Sequence, residues 1–249
     1  MRTLIAVIFL IVVAGFAPEA RAQAVDYPSR LTGTSAELLG PEESPRFAEA
    51  LAVDKEVVWR IHVPDTYDPA KPAGLLVYIS PSASGRIPSG WKGVMEAHNL
   101  IYIAATKSGN KVPPTRRLLF AVMAHMKAVQ TFELDPERIY ISGFSGGGRM
   151  ASYVAAVFPQ VFTGGLYICG VEYATGAEPT PAFLARRHVL LTGQRDFNRN
   201  ETKQRFEAMQ EDGATQVYLM DIPNFEHELP RARHLTKALT FLDTGVAPE

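Results

Sequence analysis

Five short stretches of this chain are apolar at almost every successive position: LLVYIS (Leu75–Ser80), LIYIAA (Leu100–Ala105), IYIS (Ile139–Ser142), GLYIC (Gly165–Cys169) and HVLLT (His188–Thr192). A strand that is apolar on both sides of its pleat must be covered on both faces. Between these runs lie segments with helical spacing. In Thr115–Phe132, for example, Leu118, Leu119, Val122, Met126 and Val129 share one stripe. Strands that alternate with helices give a mostly parallel sheet with helices on both faces, the α/β class.

The remaining elements follow the same logic. Val57–Val63 alternates and stops at Pro64, which predicts a strand, and Val217–Ile222 predicts the last one. Helices are expected over Ser89–His98 with Ser89 as cap, over Gly146–Phe158, over Asn200–Asp212 and over Arg231–Leu242. Asp135-Pro136 is expected to turn the chain. Residues 23–50 hold several prolines and glycines and read as an irregular lead-in to a single domain over 51–249. The chain between the strands near Cys169 and His188 is too short for a large lid, so an open site is expected.

The N-terminus has a different character. Met1-Arg2-Thr3 is followed by a nearly unbroken apolar run to Ala17, then by small residues at Ala20 and Ala22. That layout predicts a secretory signal peptide over residues 1–22. The apolar run is shorter than the roughly 17–25 residues of a membrane span. A secreted or periplasmic protein without stable membrane insertion is therefore expected. Cys169 is the only cysteine, so no internal disulfide can form, and its apolar surroundings predict a buried thiol. Net charge is −1 with mixed signs along the chain, which offers no basic surface for nucleic acid.

Ligands of such sheets bind beyond the carboxyl ends of the strands. Just past one predicted strand stands Gly143-Phe144-Ser145-Gly146-Gly147, a G-x-S-x-G pattern. The pattern alone is common; its place between a strand and a helix is what counts. Glycines on either side let strand and helix pass closely, and the serine hydroxyl stands at a helix N-terminus, where backbone N–H groups favour negative charge. A serine needs a base to take its proton. Of six histidines, only His227 follows a strand; His62, His98, His125, His188 and His234 fall inside or at the start of elements and read as structural or solvated. The imidazole in turn needs a carboxylate to orient it. Asp196, after the strand that ends near Thr192, is preferred. Glu172 is its main rival, and Asp221 is weaker because it lies within the last strand. The order Ser145, Asp196, His227 is that of the α/β-hydrolases.

Over roughly Val57 to Leu242 the chain resembles secreted α/β-hydrolases of the polyhydroxyalkanoate-depolymerase and feruloyl-esterase type. The resemblance rests on Trp59-Arg60-Ile61-His62-Val63-Pro64, on Leu134-Asp135-Pro136-Glu137-Arg138-Ile139-Tyr140 leading into the serine motif, and on His227-Glu228-Leu229-Pro230. It implies a Ser145–His227–Asp196 triad, no metal or organic cofactor, and a small or polymeric carboxylic ester as substrate. It also implies an oxyanion hole from the N–H of Gly146 and of a residue after the strand ending at Ile79. There the family usually carries His-Gly, whereas this chain has Ser80-Pro81-Ser82. Pro81 has no N–H, so Ser82 is the expected second donor. Phe144 and Trp91 are expected to line an acyl or aryl pocket, with core packing the competing reading for Trp91. Arg116 and Arg117 stand where the family often has aspartates, and are expected to be solvated or to face an acidic substrate group. The altered loop motivates a second reading, a hydrolase-fold binding protein with little turnover. A serine peptidase on the same fold is a third.

Overall fold

In chain order the elements are Arg30–Gly33 (β1), Ser35–Leu39 (α1), Val57–His62 (β2), Ala73–Ile79 (β3), Lys92–Ala97 (α2), Leu100–Ala105 (β4), Pro114–Thr131 (α3) and Leu134–Phe144 (β5). Gly146–Val157 (α4), Gly164–Ile168 (β6), Pro181–Leu184 (α5), Arg187–Gly193 (β7), Arg199–Glu211 (α6), Val217–Ile222 (β8) and Ala232–Thr244 (α7) complete the chain. The computed structural model describes residues 27–52, 55–173 and 179–248, so the signal peptide expected over 1–22 lies outside them. No described helix is long and apolar enough to cross a membrane.

The strands form one eight-stranded sheet in the order β1-β2-β4-β3-β5-β6-β7-β8. β1, β2 and β4 pair antiparallel, and every pairing from β4 to β8 is parallel. The all-apolar runs are the central strands: every residue of β3, β4 and β6 is buried. Two apolar layers cover them. Leu119, Phe120 and Met123 of α3, Ala151 and Val154 of α4, and Met209 of α6 pack on one face. Val94 and Met95 of α2 with Leu235, Ala238, Leu239 and Leu242 of α7 pack on the other. After β3 the chain steps to β4 on one side and then returns to β5 on the other. That reversal opens a crevice at the carboxyl ends of β3 and β5, and Ser145 follows β5 directly.

Four expectations change. The stretch 23–50 is not wholly irregular: β1 pairs with β2 and buries Leu31, while Thr34 caps α1 in a capping box with Glu37. Ser89 is not a cap, since α2 begins only at Lys92, with Trp91 at the cap position and no capping side chain. Asp135-Pro136 does not end the strand pattern but sits inside β5, where the pairing with β3 shifts register between Ala73 and Leu75. Between β6 and β7 the short helix α5 was not anticipated; Thr180 caps it and Phe183 anchors it in the core.

His188 illustrates how the core fixes a protonation state. It is 1% exposed, its Nε2 lies 2.9 Å from the Phe183 carbonyl oxygen and its Nδ1 3.0 Å from the Tyr167 hydroxyl. The carbonyl can only accept, so Nε2 carries the proton and Nδ1 accepts from Tyr167. Burial lowers the pKa of His188 to about 4. In the unfolded chain a histidine protonates near 6.5. Between those values the unfolded state binds the extra proton, so stability is complete above about pH 6.5 and declines as pH falls toward 4. The full loss is roughly 3 kcal/mol. His188→Gln is expected to flatten this part of the acid limb, read as urea midpoints between pH 7 and 4.5; an unchanged slope would refute the assignment.

Candidate active site

Ser145 has φ 56° and ψ −122°, in the left-handed half of backbone space that a side chain rarely occupies. The strain arises because strand and helix meet there in a tight reversal. A Cβ on Gly143 would overlap the Gly147 carbonyl, and a Cβ on Gly147 would overlap the Ile79 carbonyl oxygen at the end of β3. Ser145 occupies the N-cap of α4, yet its side chain makes no capping bond. Instead its Oγ lies 2.9 Å from His227 Nε2. His227 Nδ1 lies 2.7 Å from Asp196 Oδ1. The three side chains form one continuous relay, contributed by the segments after β5, β8 and β7.

Asp196 is 5% exposed. Its Oδ1 also accepts the Asn198 N–H at 3.0 Å, and its Oδ2 accepts the Thr192 hydroxyl at 2.7 Å. Burial alone would raise its pKa. Hydrogen bonds from His227, the Asn198 N–H and the Thr192 hydroxyl outweigh that and hold the carboxyl below the usual carboxylate range. Ionised Asp196 can only accept, so Nδ1 of His227 carries the proton and Nε2 presents its lone pair to the serine hydroxyl. Burial pushes the Cys169 thiol up and keeps it protonated, and the thiol donates to the Glu228 carbonyl oxygen at 3.7 Å. Cys169 is fully buried, as its surroundings in the sequence implied.

Cys169, Asp196 and His227 bring their ligand atoms within 4.8 Å of one another. The spacing suits hydrogen bonding better than a metal. Oδ1 and Nδ1 are 2.7 Å apart, whereas two ligands of a tetrahedral ion at about 2.0–2.1 Å sit roughly 3.3 Å apart. The rival carboxylates are engaged elsewhere. Glu172 faces Arg149 at 3.6 Å, and Asp221 pairs with Arg199 at 2.6 Å. The other histidines stand apart from the serine: His98 bonds Asp243, His62 lies 2.9 Å from Glu96, His125 meets the Phe162 ring and His234 meets Arg233.

Four expected positions meet partners that the sequence does not show. Trp91 does not line a pocket; it is fully buried, packs edge-on against Tyr78 and donates its Nε1–H to the Pro230 carbonyl at 3.0 Å. It thereby braces the loop that carries His227. Ser82 is exposed, but its N–H already donates to the Ser80 hydroxyl at 3.1 Å. Arg117 is neither solvated nor turned to a substrate; it is 5% exposed and lies behind the serine turn. Arg116 donates from Nε to the Ala50 carbonyl at 2.7 Å. Gly146 opens α4, where the first N–H groups have no partner within the helix. Phe144 stays half-buried with its ring 5.0 Å from the His227 ring. Phe197 was missed: it is 77% exposed and stacks on His227 at 4.0 Å. Its position directly after Asp196 was the available signal.

No protein-family model matches the chain. Over 59 residues it is 39% identical to the poly(3-hydroxyalkanoate) depolymerase C of Paucimonas lemoignei, which covers 24% of this chain and 14% of that protein. Over 56 residues it is 32% identical to an acetylxylan esterase of Coprinopsis cinerea, covering 22% of this chain and 15% of that one. The matched segments thus span only about a seventh of either curated relative. Among solved structures, the feruloyl esterase module from Clostridium thermocellum is similar with a TM-score of 0.62 at 12% identity, over 79% of this chain and 87% of that one. The dipeptidyl peptidase 4 of Porphyromonas gingivalis is similar with a TM-score of 0.58 at 16% identity, over 76% of this chain and 34% of that one. The chain has the α/β-hydrolase fold.

Proposed function

We propose that the protein is an exported serine hydrolase that cleaves carboxylic esters through an acyl-enzyme. The observation that carries the reading is the relay itself, with Ser145 Oγ 2.9 Å from His227 Nε2 and His227 Nδ1 2.7 Å from Asp196. His227 takes the Ser145 proton as the hydroxyl oxygen attacks the ester carbonyl carbon. The tetrahedral oxyanion is met by the Gly146 N–H at the start of α4. His227 then gives its proton to the leaving alkoxide as the ester bond breaks. Water, deprotonated by His227, attacks the acyl-enzyme, and the acid departs with Ser145 restored. Phe144 and Phe197 flank the imidazole and present apolar surface to the acyl or alcohol group. No metal or organic cofactor enters the scheme. Export follows from the signal-like residues 1–22, and a polymeric ester remains as admissible as a small one.

One observation favours a weaker enzyme or a binding protein on this fold. The Ser82 N–H reaches an oxyanion only by leaving or sharing the Ser80 hydroxyl. Losing one such donor costs about 10²–10³ in rate. The test is the mature chain on p-nitrophenyl esters of increasing acyl length beside dipeptidyl p-nitroanilides. Ester turnover at least a hundredfold above peptide turnover is expected. Turnover confined to the anilides would replace the esterase by a peptidase. Turnover of neither would favour the binding protein.

A further inference from the structure

Arg117 is a buried cation that no described carboxylate pairs. At 5% exposure, among the described residues it has no ion-pair partner. Its guanidinium is committed to three backbone carbonyls: Nε donates to Ser108 at 3.1 Å, Nη1 to Gly146 at 3.2 Å and Nη2 to Ser80 at 3.2 Å. Those carbonyls belong to the loop after β4, the first residue of α4 and the loop after β3. These segments meet at the Ser145 turn. They also hold one another: the Asn110 N–H donates to the Pro81 carbonyl at 3.0 Å, Gly109 packs against Pro81 and Ser82, and the Asn110 amide fills the space beside Gly146.

Burying a guanidinium without a counter-ion is unfavourable in the resting protein. The same place already holds the positive end of the α4 dipole. Both positive sources favour a negative charge that forms beside Gly146. A charge left unbalanced in the ground state and balanced in the transition state lowers the barrier without tightening substrate binding.

We propose that Arg117 is a positioning residue for the oxyanion site: its fork sets the Ser80–Ser82 loop against the Ser145–Gly146 turn, and its charge supplies the local positive potential. The assignment rests on the ester-hydrolase reading.

The test compares wild type with Arg117→Met, which loses the charge, and Arg117→Lys, which keeps it but not the three-way fork. Each is read by thermal unfolding, by kcat and KM on p-nitrophenyl butyrate, and by the inhibition constant of phenylboronic acid, which forms an anionic tetrahedral adduct on an active serine. The expected result for a folded Arg117→Met is a kcat lower by about 10–100-fold, short of the 10²–10³ of a direct donor. KM should stay within about threefold, and boronate inhibition should weaken by the same factor as kcat. Arg117→Lys should fall between. Folded variants with wild-type kcat and inhibition, or a loss confined to KM, would overturn the assignment alone. So would failure of both variants to fold, which would make Arg117 a stability residue. A wild type without ester turnover or boronate binding would overturn the hydrolase reading and this assignment with it.

Discussion

Ser145→Ala is expected to lower ester kcat by about 10⁴–10⁶-fold, to the background set by the remaining oxyanion contacts. His227 and Asp196 have no acyl acceptor once Oγ is gone. The fold should tolerate the change, because the serine hydroxyl makes no capping bond and its hydrogen bond is to His227. Alanine at φ 56° carries the same backbone strain as serine. Unfolding temperature should therefore stay within a few degrees of wild type, while Ser145→Gly, which relieves the strain, should raise it. A Ser145→Ala protein that keeps even a tenth of wild-type turnover would mean that the serine is not the nucleophile.

Gly147→Ala is expected to produce the largest loss of stability from a single methyl group in this protein. Elsewhere in a helix the change would gain about 1 kcal/mol in propensity. Here the new Cβ would enter the Ile79 carbonyl oxygen. That obstacle is backbone of a buried strand, not the end of a flexible side chain. α4 would have to move off β3, and overpacking of this kind costs about 3 kcal/mol or more. The same movement displaces the Ser145 turn, so kcat should fall with stability. Gly93→Ala in α2 is the matched control, since a Cβ there meets nothing within 4 Å and the position should be neutral or slightly stabilising. Urea unfolding of the two variants gives the comparison; a Gly147→Ala midpoint equal to that of Gly93→Ala would show that the close crossing is not needed.

The central sheet was legible because its strands are apolar on both faces. LIYIAA can be buried only one way, and β4 spans Leu100–Ala105 as the run predicts. β1 was not legible, since Arg30–Gly33 shows one large apolar side chain in a four-residue strand and derives its pairing from β2. Ser145, Asp196 and His227 stand out in the sequence because each lies in the segment just past a predicted strand, and the topology sends the ends of β5, β7 and β8 to one edge of the sheet. What lies between the segments could not be read. Arg117 looks like a solvated helix-start arginine until Ser80, Ser108 and Gly146 turn their carbonyls toward it. Trp91 reads as pocket wall or as core until its burial and its N–H bond to Pro230 decide for the core. The Ser82 N–H was expected to be available because Pro81 has none, yet the neighbouring Ser80 hydroxyl captures it. In each case the deciding partner is a backbone or hydroxyl group, and residue identity carries little information about where such a group points.

The central claim is that His227 activates Ser145. It is tested most directly by reacting the protein with a fluorophosphonate, measuring intact mass and mapping the modified peptide. The expected result is one adduct per chain on Ser145 in the wild type, abolished in Ser145→Ala and slowed by orders of magnitude in His227→Ala. An unmodified wild-type chain, an adduct on another residue, or equal labelling of His227→Ala would contradict it.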